Sequence, residues 1–497
     1  MEIRDHLYSI QNSIGLLKPE LILVSGIILL IVVGFFKPKH ENLSVLMATF
    51  LFSATVIALV TDTTESTTLF AGMIRKDKFT GFLQVLLNLS GLLTCIMALN
   101  KTQIKKHRNE FSVLLLAVVF GGHFFLMSNN LLLTFLSMEL VSIGSYVLAT
   151  FAFDREASEG GLKYFLFGSV ASAVMLYGFS MLYGHTGTLD FTSQDFSSAL
   201  MDKPGSIILI AGVMSVAGVL FKMSAAPMHP WVPDVYQAAP FPVIAFLSTV
   251  PKLAALGAFI KIVLALNAYG RTDYDWQVIV VFLAILSITV GNFAALAQKN
   301  AKRLMAFSSI AHSGFLVIGI AAFIPQGLHF TLFYAGIYVL MNFAVFIYLG
   351  YFAQRGINTV NDFSGRGRVH WVQLVLLLVG LISLTGLPPT SGFTAKLFIF
   401  SSVWESYQLS GKPLLLWLLV LGLLNTVVSL FYYLKIPYYA FLKEEKVPDG
   451  PDFPAQMRQN FITPENLLGL ILVLLILALF VAPGLLMGWI NKVNFVF

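Results

Sequence analysis

Lys222, Lys252, Lys396 and Glu139 are the residues best placed to do chemistry in this 497-residue chain, because each interrupts a long apolar run. An ionisable group at bilayer depth costs roughly 2.5–3.5 kcal/mol on insertion scales. A chain that keeps several therefore turns them into an interior path, where a changing charge has a use. Desolvation can hold a lysine near neutral there, and an arriving proton or a carboxylate can recharge it. The chemistry implied is passage of protons or small cations. Glu139 fits a functional carboxylate better than a structural ion pair, for it has no polar neighbour in sequence. His312 lies mid-run between small residues and fits a relay, since histidine titrates near neutral pH; a satisfied core histidine fits as well. Lys163, one turn into its run, fits the relay or an ordinary interfacial lysine, and Lys396 could snorkel toward one face. His229, His123, Lys435 and Asp234 read as structural.

The elements that must position these groups are membrane helices. Hydrophobic residues make up 57% of the chain and charged residues 11%, against about 25% charged in a soluble domain. The net charge of +6 comes from basic residues clustered in short loops, which is no nucleic-acid footprint. A single cysteine, Cys95 in an apolar stretch, excludes a disulfide framework, a zinc finger or a cysteine-ligated iron–sulfur cluster within the chain. No cofactor is expected on this chain, and any associated electron transfer occurs elsewhere. The first apolar run, 20–36, ends at Lys37-Pro38-Lys39 without a small-residue cleavage site and reads as a span, not a removable signal.

A helix crosses the hydrocarbon with about 20 apolar residues. That rule predicts spans near 20–36, 43–60, 79–99, 111–128, 130–153, 161–183, 206–228, 242–266, 277–298, 304–323, 328–352, 371–404, 413–441 and 466–490. The predicted fold is an all-α integral membrane protein of about fourteen transmembrane helices. The seventh is discontinuous where it meets Pro227, Pro230 and Pro233, and the twelfth at Gly386-Leu387-Pro388-Pro389. Loops after odd-numbered spans hold Lys37, Lys39, Lys101, Lys105, Lys106, Arg108, Arg155, Lys299, Lys302, Arg303, Arg355, Arg366, Arg368, Lys443, Lys446 and Arg458. Loops after even-numbered spans hold only Arg75, Lys76, Lys78, Lys203, Arg271 and Lys412. The excess predicts cytoplasmic odd loops and both termini on the periplasmic side. Gly365-Arg366-Gly367-Arg368 is one such basic loop; no strand and helix flank it as a nucleotide fingerprint requires.

The buried charges recur. Glu139 and His312 are 173 residues apart, Lys222 and Lys396 are 174 apart, and Lys252 and Lys435 are 183 apart. Each pair is offset by five spans. An odd offset gives the two halves opposite orientation, so two inverted five-helix repeats are predicted, a recurrent transporter design. The divisions expected are a three-helix region 1–110, a first half-channel 111–270, a second 271–442 and a C-terminal helix 443–497. A proline removes a backbone donor and breaks the ladder, leaving polar ends tolerated at depth only when buried or facing water. Each break lies four to nine residues from its lysine.

The stretch from Phe221 through Lys222, Pro227, His229, Trp231 and Asp234-Val235-Tyr236-Gln237 to Pro240 resembles a signature of the antiporter-like membrane subunits of respiratory complex I, which share ancestry with multisubunit sodium/proton antiporters. Further matches are Met138-Glu139-Leu140, Glu159 to Tyr164, Ser308 to Gly314 and Leu387 to Lys396, in order over about residues 110–440. The resemblance implies a proton-translocating subunit of a bacterial NADH:quinone oxidoreductase, multi-pass in the inner membrane. Glu139 would pair with Lys222 in the first half-channel, Lys252 would link to the second half, and Lys396 would serve the exit. It implies FMN and iron–sulfur clusters in partner subunits, quinone bound elsewhere in the complex, antiporter-like and small membrane subunits as partners, and no nucleic acid. Lysine at position 396 and the lack of a long amphipathic helix after residue 490 set the chain apart from other branches of that family. A subunit of a multisubunit sodium/proton antiporter is the alternative; an interior rich in lysine argues against it, since hard cations favour carboxylate and carbonyl oxygens.

Overall fold

The computed structural model describes residues 10–11, 13–36, 42–62, 66–99, 102–201, 205–267, 275–443 and 463–495. Lys37, Lys39, Lys101, Lys203, Arg271, Lys446, Arg458 and both chain ends, used above to argue orientation, lie outside the described residues.

Apolar runs without turn residues become helices, because lipid leaves the backbone no partner but itself. In order these are α1 (Lys18–Phe35), α2 (Leu43–Val60), α3 (Lys78–Ala98), α4 (Arg108–Met127), α5 (Leu131–Ala149), α6 (Arg155–Thr186), the short α7 (Gln194–Met201), α8 (Gly205–Met223), α9 (Val232–Ala238), α10 (Phe241–Asn267), α11 (Trp276–Leu296), α12 (Ala301–Ala321), α13 (Pro325–Ala353), α14 (Trp371–Thr385), α15 (Ser391–Ser410), α16 (Pro413–Tyr433), α17 (Lys435–Leu442), α18 (Pro464–Val481) and α19 (Gly484–Ile490). Among the described residues, 13 helices are long and apolar enough to cross a membrane; the split span α14–α15 completes the expected fourteen. Helices α4, α5, α6, α8 and α10 form the first set of five spans. The second set is α11, α12, α13, α14–α15 and α16.

One departure from an all-helical reading lies between α2 and α3. Strands β1 (Thr67–Leu69) and β2 (Ile74–Lys76) pair antiparallel around a turn with positive φ at Phe70, Ala71 and Gly72. A polar loop rich in threonine disguised this hairpin as a connection.

The chain divides into two compact units, one holding the residues up to Trp231 with Ala238–Val280 and the tail from Asn491, the other Val232–Gln237 with Val281–Ile490. In the first unit α10 is the core and is buried along its length, despite Pro251 inside it. Helices α6 and α8 meet backbone to backbone, for a Cβ on Gly178 would fall 2.5 Å from the Ser215 amide. Such small-residue contacts are how helices associate in lipid. In the second unit α13 is the buried core. Helices α11 and α12 approach in the same way, a Cβ on Gly291 falling 2.4 Å from the Ala311 amide.

Candidate functional site: two lysines at broken helices

Both predicted breaks end a helix in the same way. At the end of α8, Ser224 takes a left-handed φ of +60°, Ser224 N–H donates to Phe221 O, and Ala225 N–H donates to Leu220 O. At the end of α14, Gly386 takes φ +84°, donates to Ser383 O, and Leu387 N–H donates to Ile382 O. That is the Schellman pattern, which satisfies the last carbonyls of a helix. Three residues after the left-handed position, each break has a cis prolyl bond, at Pro227 and at Pro389. The two breaks are 162 residues apart (386 less 224, 389 less 227). Gly392 is pressed against the first half of its span: a Cβ there would fall 1.8 Å from Ser383 O.

Lys222 occupies the last turn of α8, where orphan carbonyls give a partial negative charge that favours a cation. It is 1% exposed. Its Nζ donates to Tyr164 Oη at 3.3 Å and lies 4.8 Å from the Tyr146 ring centroid, 4.9 Å from Tyr164 and 5.3 Å from Phe221. Desolvated cation–π contacts of this kind are worth about 2 kcal/mol. Tyr164 in turn stacks on Trp231 at 4.0 Å, which ties the break to α6. Glu139, half-buried on α5, accepts a hydrogen bond from Ser172 on α6, and its charge acts on both Tyr146 and Lys222. No direct ion pair joins Glu139 to Lys222 among the described residues; tyrosine rings crowd the ammonium instead.

In the second unit, Lys396 on α15 is 4% exposed. Its Nζ donates to Thr385 O, the last residue of α14, at 2.8 Å and lies 4.1 Å from the Phe315 ring centroid. Beyond that ring is His312, whose Nδ1 pairs with Tyr334 Oη at 2.7 Å and Nε2 with Tyr433 Oη at 3.1 Å. Tyr433 continues to Ser308, and Ser309 joins Tyr338 at 3.2 Å and Tyr236 at 3.1 Å. Each hydroxyl both donates and accepts, so hydrogens can shift along the run Tyr334–His312–Tyr433–Ser308, with Tyr236–Ser309–Tyr338 as a second run beside it.

The other predicted residues have different surroundings. Lys252 is fully buried on α10, directly after Pro251. Lys163 sits in the third turn of α6, paired with exposed Glu159 at 2.9 Å. Lys435 donates to Leu296 O at the end of α11. Asp234 binds Arg303 at 2.8 Å, with Gln237 Oε1 3.1 Å from the same guanidinium, so the Asp234-Val235-Tyr236-Gln237 signature anchors α9 to the start of α12.

Sequence reasoning passed over Lys261. It is buried on α10, its Nζ 3.3 Å from Asn129 Oδ1 and 3.4 Å from Ser128 O. The rule that found Lys252 applies to it as well, since both lie inside the span 242–266. The Tyr146–Tyr164–Phe221 cage was likewise not foreseen, since tyrosine and phenylalanine in a span carry no distinguishing spacing.

Comparison with known proteins places this arrangement. The family described as NADH:quinone oxidoreductase/Mrp antiporter, TM, matches residues 128–427. NADH-quinone oxidoreductase subunit N of Beijerinckia indica is 36% identical over 425 residues, covering 84% of this chain and 86% of the relative. A chain of respiratory complex I from Thermus thermophilus superposes with a TM-score of 0.75 at 28% identity, over 95% of this chain and 98% of that one. A chain of the Mrp complex from Dietzia shares the fold, with a TM-score of 0.80 at 18% identity over 95% and 96% of the two chains. With ordered motifs, matched helix breaks and similarity along most of its length, the chain belongs to the NADH:quinone oxidoreductase/Mrp antiporter family, in its NADH-quinone oxidoreductase subunit N branch.

Proposed function

We propose that this chain is a proton-translocating subunit in the membrane arm of an NADH:quinone oxidoreductase, driven by redox chemistry in other subunits. The observation that carries the reading is the pair of buried lysines held at two helix breaks of one design. In the first unit Lys222 takes and releases the proton, Tyr164 holds its Nζ, and Glu139 sets how strongly the ammonium is favoured. Lys252 is a further buried station on α10. In the second unit Lys396 passes charge toward the His312 hydroxyl chain and the exit.

Buried serine hydroxyls support a hydrated path at both breaks: Ser224 Oγ and Ser391 Oγ find no protein partner among the described residues, and such groups are served by water. Lys163, on its exposed ion pair, is a rim group of this path and not a station in it. FMN and iron–sulfur clusters belong to partner subunits, quinone binds elsewhere in the complex, and neighbouring antiporter-like and small membrane subunits surround the chain. The membrane is a bacterial inner membrane with both termini periplasmic; Arg355, Arg366 and Lys443 then face the cytoplasm.

The sodium/proton antiporter reading draws on the fold shared with the Mrp complex. The interior sites speak against it, since two lysines, a histidine and several hydroxyls offer a metal cation little negative charge. Affinity purification of the tagged chain from its native membrane, under mild detergent, tests the reading. NADH:quinone activity with flavin and iron–sulfur subunits in the eluate is expected. Elution with hydrophobic subunits alone, and sodium-dependent proton transport without NADH oxidation, would overturn it.

A further inference from the structure

Helices α1, α3 and α4 hold a second kind of buried ionisable site that neither lysine relay uses. Glu20, in the first turn of α1, and His123, one turn from the end of α4, are 3% and 0% exposed. His123 Nδ1 lies 2.7 Å from Glu20 Oε1, and His123 Nε2 lies 2.7 Å from Asn88 Nδ2 on α3. Gln84 Nε2, one turn earlier on α3, donates to the same Glu20 Oε1 at 3.1 Å.

The network settles where the hydrogens are. Asn88 Nδ2 also donates to the Gln84 main-chain oxygen at 2.8 Å. Flipping the amide would set oxygen against oxygen, so its orientation is fixed. His123 Nε2 therefore accepts, and a neutral imidazole keeps its one proton on Nδ1, aimed at Glu20 Oε1. Glu20 Oε1 is thus served twice, while Glu20 Oε2 receives no hydrogen bond from any described group. Gln84 Oε1 and Asn88 Oδ1 are buried and unserved as well. The cluster thus holds three buried acceptor atoms that no described donor serves. A buried polar group left unpaired costs about 1–3 kcal/mol, and one added hydrogen on the carboxylate both removes a buried charge and supplies a donor.

We propose that Glu20 and His123, held by Asn88 and Gln84, form a buried proton-accepting site in the N-terminal helices that binds its proton at Glu20 Oε2. Uptake converts the carboxylate to a carboxylic acid, with His123 Nδ1 still on Glu20 Oε1. A metal cation fits less well: three oxygens are available, and the histidine blocks the fourth.

The site is closed at one end by an apolar plug of Leu17, Leu69, Ile74 and Met127, one turn beyond Glu20 and His123, in which the β1–β2 hairpin takes part. The charged and titratable groups on the elements packed against it are few. Helix α2 has none. Helix α3 carries Cys95 and, at its start, Asp77 and Lys78. The other charges of α4, Arg108 and Glu110, stand at its opposite end, and α5 bears Glu139 and Tyr146. On the hairpin, Lys76 pairs with Asp62 and Arg75 with Asp77. Helix α10 carries Lys252 and Lys261 and packs on α3 and α4, a Cβ on Gly122 of α4 falling 3.6 Å from Ala254 Cβ. Protonation of Glu20 therefore removes a negative charge from the flank of the helix that bears the two buried lysines.

Infrared difference spectroscopy on the full purified complex tests this without relying on proton pumping. In difference spectra taken along a pH series, a carboxylic-acid carbonyl band that shifts in D2O is expected in the wild type. It should be lost in Glu20→Gln and displaced in frequency in His123→Asn, which keeps the carboxyl and so decides the matter if Glu20→Gln fails to assemble. A spectrum that neither substitution changes would overturn the proposal. So would a band abolished by sodium at constant pH, which would mark a cation site.

Discussion

The two units solve one problem with their lysines on opposite sides of the break. Lys222 ends the helix before its break, in the last turn of α8, whereas Lys396 lies within the helix that follows its break. The breaks superpose in kind, residue for residue from the left-handed position to the cis proline; the charges do not. The 174-residue spacing of the lysines and the 162-residue spacing of the breaks are thus different periods. What repeats is the way the backbone opens; the place of the ammonium relative to that opening does not. The surroundings differ accordingly. Lys222 has three aromatic rings, one hydroxyl and a carboxylate within electrostatic reach. Lys396 has a main-chain carbonyl and one ring, with a histidine beyond it. A carboxylate lies within electrostatic reach of the first ammonium; beyond the second lie an aromatic ring, an imidazole and hydroxyls.

The strongest way to break this comparison is to remove each ammonium in turn. Lys222→Met and Lys396→Met keep the bulk of the side chain and abolish the charge. Proton uptake per NADH oxidised, measured on reconstituted complex, is expected to fall by about tenfold or more in each, in line with loss of a positioned proton carrier. If one fell and the other did not, the two breaks would not be equivalent stations.

A second, smaller effect sharpens the contrast. Glu139→Gln leaves Lys222 without its carboxylate, and a loss of one charge at partly screened distance is worth about 1–2 kcal/mol. Coupled turnover should drop several-fold, less than in Lys222→Met. His312→Gln keeps hydrogen-bonding groups among Tyr334 and Tyr433 and should lose less than Glu139→Gln. The reverse ranking would mean that the second unit, not the first, limits the rate.

These distinctions were only partly visible in the sequence. Spans, breaks and the buried Lys222, Lys252 and Lys396 were legible, because hydropathy fixes depth and prolines mark where a ladder must fail. The half-turn chemistry at the breaks was not: Ser224 takes a conformation expected of glycine, and nothing in its neighbours announces it. Glu20 was read as the edge of the first span and His123 as a structural residue, since a pairing across 103 residues leaves no local trace. The hydroxyl chain around His312 was hidden for a related reason. Tyr334, Tyr338 and Tyr433 are ordinary in membrane helices, and only packing brings them to one imidazole.

The smallest predicted effect concerns Lys163, which the sequence offered as a relay member. Its ammonium is about as exposed as its partner allows, with side-chain exposures of 41% for Lys163 and 63% for Glu159. An i,i+4 pair in that setting contributes about 0.3–0.5 kcal/mol. Adjacent residues on a helix point about 100° apart, so Lys163 lies on a different face of α6 from Tyr164, which reaches Lys222. Lys163→Gln should therefore leave proton uptake per NADH within about twofold of wild type, and Glu159→Gln should do the same. A loss in Lys163→Gln comparable to that of Lys222→Met, with Glu159→Gln unaffected, would move the mouth of the first path onto the start of α6 and make Lys163 its entry.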